Sequence, residues 1–333
     1  MPRLSQAAQE YEQHLLARDL STGTATARRL SVLALAKSVG DLDAARVTAS
    51  HLDHHFVVRA SGWSTGTRNN QLINLRLFFD WCRFRGYMRK DSDPLFGWKP
   101  AKYSTPERLR IPIGEWSRLF AACHSQIQTI AVATGLYLFL RGSEQKTIQL
   151  KHVHLDASEI EIYRTKTREW DTLPISSELD HHLRLHLTYL AKHGVTEPDH
   201  YLIPARTYPT NSPNGGGFVK GSGKLNPLRP FGHPYRVIQR VLDAAGYETY
   251  QEGEHTLRRS GARAYFDALV DQGYDGALRR VQSMLGHKTI RNTEIYLGLT
   301  LDKHRRNQDL RGKPMFPALT DTRIVPIRES LHG

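Results

Sequence analysis

The sequence has few features that would tie it to a membrane or an oxidising compartment. Its 333 residues include only two cysteines, Cys82 and Cys123, and each lies in an apolar helical pattern that favours a reduced core thiol over a disulfide. No apolar run approaches the roughly 20 residues that span a bilayer, and the first residues lack the apolar core of a signal peptide. These absences predict a cytoplasmic protein with no membrane partner.

The sequence also lacks the patterns of nucleotide and metal sites. The stretch 221–224 resembles a phosphate-binding loop, but Phe218 and Leu225 stand where that loop needs Gly and Ser or Thr. There is no His-Glu-x-x-His pattern and no cysteine pair at metal-binding spacing. We therefore expect no cofactor and no metal, and we interpret the histidine clusters near 51–55 and 181–186 as surface or stacking residues.

An excess of positive charge is the main compositional feature. The net charge is +13, and both the first hundred residues and the remainder contain more Lys and Arg than Asp and Glu. This favours a nucleic acid as the partner, with solubility alone as the plainer alternative. A membrane surface is less favoured, because no polybasic run lies beside an apolar anchor.

The length favours two domains. Helical periodicity in residues 3–90 predicts a compact four-helix unit, and the Pro-rich, polar segment 91–110 predicts a linker with the boundary near residue 103. Beyond it, helical patterns flank a strand pattern at 153–175 whose polar turn carries Lys166. The predicted fold class is mostly α with a small antiparallel β-sheet (α+β).

Two later segments show weaker patterns. Residues 204–232 are rich in Gly, Pro, Ser and Asn, which predicts an irregular insert that forms a mobile surface loop. Residues 314–333 contain a short β-like piece, Thr322–Ile327, with no core of its own.

The stretch from His255 to Tyr296 is the centre of the functional interpretation. His255 and Arg258 are three apart, so they share a helix face, and Gly261 permits a close helix approach. A Gly-marked break then precedes His287, which lies nine residues before Tyr296. Taken singly, His255 and Arg258 are better explained by a DNA-facing or solvated helix, and Tyr296 by a core tyrosine with a satisfied hydroxyl.

Arg141 is a further candidate, because it ends a strongly apolar run just before Glu144. Taken alone, it fits a structural ion pair and a ligand contact equally well. Together with Arg258 it offers two guanidinium groups that can bind a phosphodiester. Histidines and a hairpin lysine can move protons, and a tyrosine hydroxyl becomes a competent nucleophile beside a base and several cations.

In this order and context, the residues resemble the tyrosine recombinases, or phage integrase family. The family pattern runs Arg, Lys, His-x-x-Arg, His or Trp, then Tyr, and it is filled here by Arg141, Lys166, His255, Arg258, His287 and Tyr296. The sequence departs from it where Arg259 replaces a frequent His, and where Leu-Phe-Leu-Arg141 replaces the common Thr-Gly-Leu-Arg. None of these departures removes a residue of the pattern.

The resemblance implies an N-terminal four-helix SAM-like core-binding domain (1–103) and a tyrosine-recombinase catalytic domain (104–306). Residues 307–333 would form a tail that contacts a neighbouring protomer. The resemblance further implies a site-specific recombinase that cuts and rejoins duplex DNA through a 3′-phosphotyrosyl intermediate, with no metal or ATP. It would integrate or excise a phage or mobile element as a homotetramer on two DNA sites, with an accessory or directionality factor as a candidate partner.

The resemblance also implies the residue roles. Tyr296 would be the nucleophile, Arg141 and Arg258 the phosphate clamp, Lys166 the acid for the leaving oxygen, and His255 the proton acceptor. His287 would support the phosphate and Glu144 would orient Arg141. We expect the contacts to DNA to come from six arginines on predicted surfaces, namely Arg68, Arg76, Arg83, Arg164, Arg168 and Arg259.

Three other functions remain compatible with the sequence. A Xer-like chromosome or plasmid dimer resolvase belongs to the same enzyme class, and a type IB topoisomerase shares the chemistry. A non-catalytic DNA-binding protein is the alternative from a different class.

Overall fold

The computed structural model describes residues 1–102, 108–207, 210–211, 218–219 and 223–299. The chain divides into two compact units, Met1–Pro106 and Glu107–Gly333. We refer to them as the N-terminal unit and the C-terminal unit and describe each by itself. The predicted tail 307–333, with its β-like piece, lies outside the described residues.

The N-terminal unit is helical throughout its regular structure. Ser21 and Ser64 cap two of its helices by accepting hydrogen bonds from the main-chain N–H three residues on, as expected for serine before an apolar periodic run. The third helix continues as a π-helical turn, His54–Arg59. The helices are α1 (Leu4–Leu16), α2 (Thr22–Val39), α3 (Ala49–Asp53) and α4 (Thr65–Phe84).

One apolar core joins these helices. Tyr11 of α1 packs edge-on against Phe78 of α4, with ring centroids 5.6 Å apart, and against Trp81 at 5.1 Å. Cys82 lies fully buried in the same core, and burial raises the pKa of its thiol to about 12. The thiol is therefore protonated at neutral pH, as predicted for a core cysteine.

The C-terminal unit is built around one almost entirely buried helix, α6. Residues 130–136 of α6 are all buried, so this helix is apolar on every side rather than amphipathic. Its regular helices are α5 (Trp116–Ala121), α6 (Gln126–Tyr137), α7 (Gly142–Gln145), α8 (Ser177–Lys192), α9 (Pro234–Ala244), α10 (Glu254–Asp271), α11 (Ala277–Leu285) and α12 (Ile290–Leu297).

Helix α10 crosses α6 at very close range. A Cβ atom on Gly261 of α10 would lie 1.8 Å from the main-chain oxygen of Leu136, and one on Gly135 of α6 would lie 3.1 Å from Leu257. The glycines let the two backbones approach in the way that the sequence suggested for Gly261. This contact fixes α10, which carries two residues of the predicted site.

The predicted antiparallel sheet is present and has three strands. Strand β1 (Val153–His154) pairs with β2 (Glu159–Arg164), and β2 pairs with β3 (Glu169–Pro174). The β2–β3 hairpin closes with Arg164 opposite Glu169, and Lys166 lies in the turn between them. The mostly helical α+β class predicted from the sequence is confirmed.

The segment 204–232 corrects one prediction. We expected an irregular loop, but β4 (Pro204–Arg206) pairs with β7 (Leu225–Pro230), and β5 (Thr210–Asn211) pairs with β6 (Phe218–Val219). Both pairs are antiparallel and one is nested inside the other. Proline in β7 is compatible with this arrangement, because in the β4–β7 pair each strand has only one hydrogen-bonded neighbour.

Among the described residues, no helix combines the length and apolar character that a bilayer span requires.

Candidate active site

Arg141 lies at the junction between the apolar helix α6 and the short helix α7. It is the N-cap residue of α7, and its main-chain N–H donates to Glu144 Oε2 at 2.8 Å. Its Nη1 donates to Oε1 of the same carboxylate at 2.6 Å. The structural ion pair considered for Arg141 is therefore formed, and the side chain remains 18% exposed, so one edge is open to a ligand.

Glu144 is the centre of a cluster of guanidinium groups. Its carboxylate is fully buried and faces Arg258 Nη1 at 3.4 Å and Arg164 Nη1 at 3.5 Å, besides Arg141. We call these four residues the Glu144 cluster. Three cations around one anion leave a net positive charge in a desolvated place, which is the electrostatic requirement of an anion site.

Arg258 is the most buried cation of the cluster, at 1% exposure. Besides its contact with Glu144, it donates to the main-chain oxygen of Phe139 and, at 2.6 Å, to that of Leu285. Burial lowers the pKa of Arg258 to about 10, and its neighbours Tyr296 and Glu144 oppose that shift. The guanidinium therefore stays charged at neutral pH.

His287 follows the end of α11, where Gly286 takes a left-handed conformation with φ of 61°. Its Nδ1 is hydrogen-bonded to the Thr293 hydroxyl at 3.1 Å. Its ring lies edge-on to the Tyr296 ring, with centroids 5.4 Å apart and an interplanar angle of 81°. The predicted break before His287 thus lets α12 fold back so that its last turn returns to the histidine.

Tyr296 lies in that last turn of α12. Its hydroxyl donates to the main-chain oxygen of His255 at 3.4 Å, and its ring centroid lies 5.7 Å from the Arg258 Cζ. Burial raises the pKa of the phenol, while Arg258, Arg259 and Arg141 act in the opposite direction. The phenol is protonated in the free protein, so it needs a proton acceptor before it can act as a nucleophile.

Both histidines of the site are neutral at neutral pH. Desolvation, together with the charges of Arg258, Arg141, Lys166 and Arg164, lowers the pKa of His287 to about 4. Desolvation also lowers the pKa of His255; Glu254 opposes this shift, and Arg258, Arg259 and Arg141 add to it. A neutral imidazole has a lone pair that can accept a proton.

Lys166 is exposed in the turn of the β2–β3 hairpin. Its positive charge contributes to the lowered pKa of His287. The neighbouring Thr165 hydroxyl is hydrogen-bonded to that of Ser143 at 2.8 Å, which joins the hairpin to α7. The structure thus brings together all six residues of the predicted motif and Glu144.

The predicted DNA contacts of the N-terminal unit have partners within the protein. Arg68 donates to the main-chain oxygen of Ala60, and Arg76 to that of Trp98 at 2.6 Å. Arg83 donates to the main-chain oxygen of Ser92 at 2.8 Å and pairs with Asp80. These bonds give each arginine a structural role, and their contact with DNA stays a prediction.

The predicted contacts of the C-terminal unit divide into three cases. Arg168 is exposed in the hairpin turn, as a DNA contact requires. Arg259 is mostly buried, with 11% of its side chain exposed, and pairs with Glu252. The side chain of Arg164 is only 4% exposed, so it does not present its guanidinium at the surface, and we correct its placement from the DNA surface to the Glu144 cluster.

A signal for the placement of Arg164 was present in the sequence. Strand β2 alternates, with Ile160, Ile162 and Arg164 all buried on one face. Period-two spacing from two isoleucines predicts an inward-facing arginine, which must then find a carboxylate. The positive charge of Arg164, considered alone, favours the DNA surface instead.

Two further arginines hold the end of α12, and we did not predict them. Arg110 Nη2 donates to the main-chain oxygen of Tyr296 at 3.4 Å, and Arg263 Nη1 donates to that of Leu297 at 3.1 Å. Cations at a helix C-terminus satisfy its last carbonyls and interact favourably with the helix dipole. Their target is main-chain atoms, for which a sequence gives no specific signal.

Within the described part of the chain, no group of three or more His, Cys, Asp or Glu side chains could hold a metal ion.

Comparison with known proteins gives one family match and several similar folds. The sequence model described as "Phage integrase family" matches residues 112–302. No curated protein sequence matches the chain.

Three solved structures illustrate the fold similarity. A lambda integrase dimer bound to a COC′ core site is 16% identical over 89% of this chain and 77% of that chain, with a TM-score of 0.65. A lambda integrase tetramer bound to a Holliday junction is 16% identical over 87% and 78%, with a TM-score of 0.63. The XerH site-specific recombinase in a post-cleavage complex with a palindromic difH substrate is 16% identical over 91% and 84%, with a TM-score of 0.60.

Proposed function

The chain belongs to the phage integrase family, and on that basis we propose that it is a site-specific recombinase whose nucleophile is Tyr296. In this proposal the enzyme cuts and rejoins duplex DNA through a 3′-phosphotyrosyl intermediate. The single observation that carries it is the position of the phenol. Its hydroxyl lies 3.4 Å from the His255 main-chain oxygen, and its ring contacts Arg258 and His287.

The proposed first step is an in-line displacement at a DNA phosphate. The Tyr296 oxygen bonds to phosphorus while the bond from phosphorus to the 5′-oxygen breaks. The phenolic proton passes to His255, whose lowered pKa reflects a neutral ring able to accept it. A proton from Lys166 goes to the departing 5′-oxygen, which leaves as a hydroxyl group.

The Glu144 cluster supplies the electrostatics of this step. Arg141 and Arg258 bind the non-bridging oxygens, whose negative charge grows in the pentacoordinate transition state. Glu144 holds both guanidinium groups before the DNA arrives, so little reorganisation is needed during the reaction. His287, neutral and fixed by Thr293, supports the phosphate by a further hydrogen bond.

The second step reverses the first with a different 5′-hydroxyl. The phosphotyrosyl ester keeps the free energy of the broken phosphodiester, so this route uses neither ATP nor a metal ion. We propose a homotetramer on two DNA sites as the active assembly, with an accessory or directionality factor setting the direction. The net charge of +13 supports a DNA partner, and we place the enzyme in the cytoplasm of a bacterial or phage-infected cell.

Integration or excision of a phage or mobile element is the biological role we propose. A Xer-like dimer resolvase is the second candidate, and the similarity of the fold to that of XerH supports this candidate. The two roles differ in their DNA. A resolvase recombines two copies of one chromosomal or plasmid site, whereas an integrase joins two different attachment sites.

A suicide DNA substrate tests the chemistry. A nick near the scissile phosphate lets the short 5′-hydroxyl fragment diffuse away, so the covalent complex accumulates. We expect the wild-type protein and the exposed-site control Tyr250→Phe to form a denaturant-resistant adduct without Mg²⁺, and Tyr296→Phe to form none while still binding DNA. An adduct with Tyr296→Phe would refute the nucleophile assignment, and binding without any adduct would identify a non-catalytic DNA-binding protein.

A further inference from the structure

Arg164 occupies a position that the proposed chemistry leaves without a role. It is the last residue of β2, its side chain is only 4% exposed, and it lies two residues before Lys166. A buried arginine has a high desolvation cost, which is offset only where its donors find partners. Its contacts therefore indicate what it holds in place.

The guanidinium of Arg164 makes contacts in three directions, of which two are hydrogen bonds and one is an ion-pair contact. Its Nε donates to Asp171 Oδ2 on β3 at 2.9 Å, and its Nη2 donates to the main-chain oxygen of Met284 on α11 at 2.7 Å. Its Nη1 lies 3.5 Å from Glu144 Oε2 on α7. A planar fork with donors on three sides can join three elements in this way, whereas a lysine ammonium on a flexible stem cannot.

The main chain of Arg164 closes the turn that carries Lys166. Its carbonyl oxygen accepts hydrogen bonds from the N–H groups of Thr167 at 3.1 Å and Arg168 at 2.7 Å. The same residue thus anchors the base of the turn through its backbone and binds α7 and α11 through its side chain. The hairpin cannot tilt without breaking one of these sets of bonds.

Arg164 also packs against Gly286, the residue that precedes His287. A Cβ atom on Gly286 would be 3.3 Å from Arg164 Nε, so the glycine packs against the guanidinium. Arg164 therefore contacts the supports of three groups of the proposed reaction: the Lys166 turn, the Glu144 carboxylate and the Gly286–His287 corner.

We propose that Arg164 is a positioning residue that holds the Lys166 hairpin against the Glu144 cluster, so that the lysine reaches the leaving oxygen. This proposal rests on the proposed function. Arg164 itself does not touch the DNA; it acts through Lys166.

The geometry separates this role from the phosphate clamp. Arg141 binds Glu144 at 2.6 Å, whereas Arg164 Nη1 lies 3.5 Å away and, among the described atoms, has no hydrogen-bond partner. Loss of Arg164 therefore leaves the Arg141–Glu144 bond in place but removes the bond within the hairpin to Asp171 and releases the hairpin from Met284 on α11. The defect should appear in protonation of the leaving group rather than in phosphate binding.

The test compares two suicide substrates that differ in one atom. One has oxygen and the other sulfur at the bridging 5′ position of the scissile phosphate. When the phosphorus–sulfur bond breaks, a thiolate leaves without needing a proton, because a thiol has a pKa of about 8.5, far below that of an alcohol. The sulfur substrate therefore bypasses Lys166 and anything that acts only through it.

Single-turnover rates of adduct formation are measured with both substrates. We expect Arg164→Gln and Arg164→Lys to be slowed about 100-fold on the oxygen substrate, the scale of general-acid catalysis. On the sulfur substrate they should come within about 10-fold of wild type, as should Lys166→Ala. Arg141→Ala should be slow on both substrates, and Arg184→Gln, an exposed arginine paired with Asp180 at 2.7 Å, should be normal on both.

An equal loss for the Arg164 variants on both substrates, or no loss on either, would overturn the proposal. If thermal melting shows that Arg164→Gln does not fold, the variant Asp171→Asn provides the test, because this half-exposed carboxylate fixes the Arg164 guanidinium. Asp171→Asn should slow cleavage of the oxygen substrate by about 10-fold and leave cleavage of the sulfur substrate close to wild type. Failure of the proposed function gives a different result, because the wild-type protein would then form no adduct with either substrate.

Discussion

In the N-terminal unit, Arg68, Arg76 and Arg83 each donate to a main-chain carbonyl oxygen, whereas in the C-terminal unit three arginines converge on the single carboxylate of Glu144. The first arrangement satisfies turn carbonyls and leaves each cation at or near the surface. The second places three cations around one buried anion. Both units contain more Lys and Arg than Asp and Glu, so charge content alone does not distinguish the two arrangements.

The two arrangements differ in how much positive charge remains available to bind a ligand. An arginine that caps carbonyls near solvent keeps its charge screened by water, so its effect on a distant phosphate is small. In the Glu144 cluster, the three arginines outnumber the carboxylates of Glu144 and of Asp171, which pairs with Arg164, so positive charge remains where water is largely excluded and a bound phosphodiester is strongly stabilised. We infer that the C-terminal unit concentrates charge for chemistry, while the identified arginines of the N-terminal unit stabilise its fold.

The largest effect is expected for Glu144→Gln. Removing the charge leaves the buried Arg258 and the partly exposed Arg141 without their anion, while Arg164 keeps Asp171, and we expect a cost of about 3 kcal/mol or more in the free energy of unfolding. The clamp is also disordered, so we expect cleavage to fall by about 1000-fold, in the range known for lost electrostatic groups. Urea unfolding and adduct formation measure the two effects.

Asp91→Asn is the matched control in the N-terminal unit. Asp91 pairs with Arg89 at 3.0 Å, but both side chains are more than 70% exposed. We therefore expect Asp91→Asn to lower the free energy of unfolding by no more than about 0.5 kcal/mol. Similar losses for both variants would mean that the Glu144 cluster is no more than a surface pair.

Helical glycines provide the next comparison. Gly261→Ala places a Cβ 1.8 Å from the Leu136 oxygen and forces α10 away from α6, so we expect a loss of about 3 kcal/mol and slower cleavage, because Arg258 lies on the same helix. Gly23→Ala in α2 meets no atom within 4 Å and should stabilise the protein by about 0.5 kcal/mol. Thermal melting of both variants checks the signs; a neutral Gly261→Ala would contradict the close approach of the helices.

Two histidines with the same pKa test the charge difference between the units. His287 and His55 each have a pKa of about 4, and burial is the largest cause of both shifts; His54 adds to the shift at His55, whereas four cations add to that at His287. A bound phosphodiester offsets those cations, so we expect the pKa of His287 to rise by about one unit or more and that of His55 to stay unchanged. Histidine NMR titration of Tyr296→Phe with and without DNA measures this, and equal responses would contradict it.

The lowered pKa values of His287 and His55 also determine how the free energy of unfolding depends on pH. Both histidines have a lower pKa when folded than the ordinary 6.5, so between about pH 6.5 and 4 the unfolded chain binds protons that the folded chain does not. Their contribution to stability is therefore complete above about pH 6.5 and is lost as the pH falls towards 4.

The smallest effect concerns salt. Arg168→Gln removes an exposed hairpin cation and should reduce the slope of log affinity for DNA against log salt by about one. Arg83→Gln should lower stability by about 1 kcal/mol, because this arginine bonds Ser92 and Asp80. A reduced slope for Arg83→Gln would confirm its predicted contact with DNA, and an unchanged slope would contradict it.

The sequence predicted the fold well where the signals were local. Ser21 and Ser64 cap helices in the way that serine before an apolar periodic run indicates, and alternation in β2 predicted the sheet. The pairing of β4 with β7 was missed because Gly, Pro and Asn usually mark loops, and paired residues as far apart in sequence as Pro204 and Pro230 leave no local trace.

The site was predictable as a set of residues but not as a network. The order of Arg141, Lys166, His255, Arg258, His287 and Tyr296 identified the motif. It did not reveal that Glu144 faces three arginines, because Arg164 and Arg258 reach it from separate elements. The contact of Arg110 with the Tyr296 carbonyl was equally hidden, since it joins atoms 186 residues apart.

The most direct test of the whole account is to identify the residue that becomes linked to DNA. The adduct trapped with the wild-type protein is digested with protease and nuclease, and the modified peptide is sequenced by mass spectrometry. We predict one peptide that carries a 3′-phosphonucleotide on Tyr296, together with a free 5′-hydroxyl on the released strand. A nucleotide on any other side chain, or a 5′-phosphate on the released strand, would contradict the account.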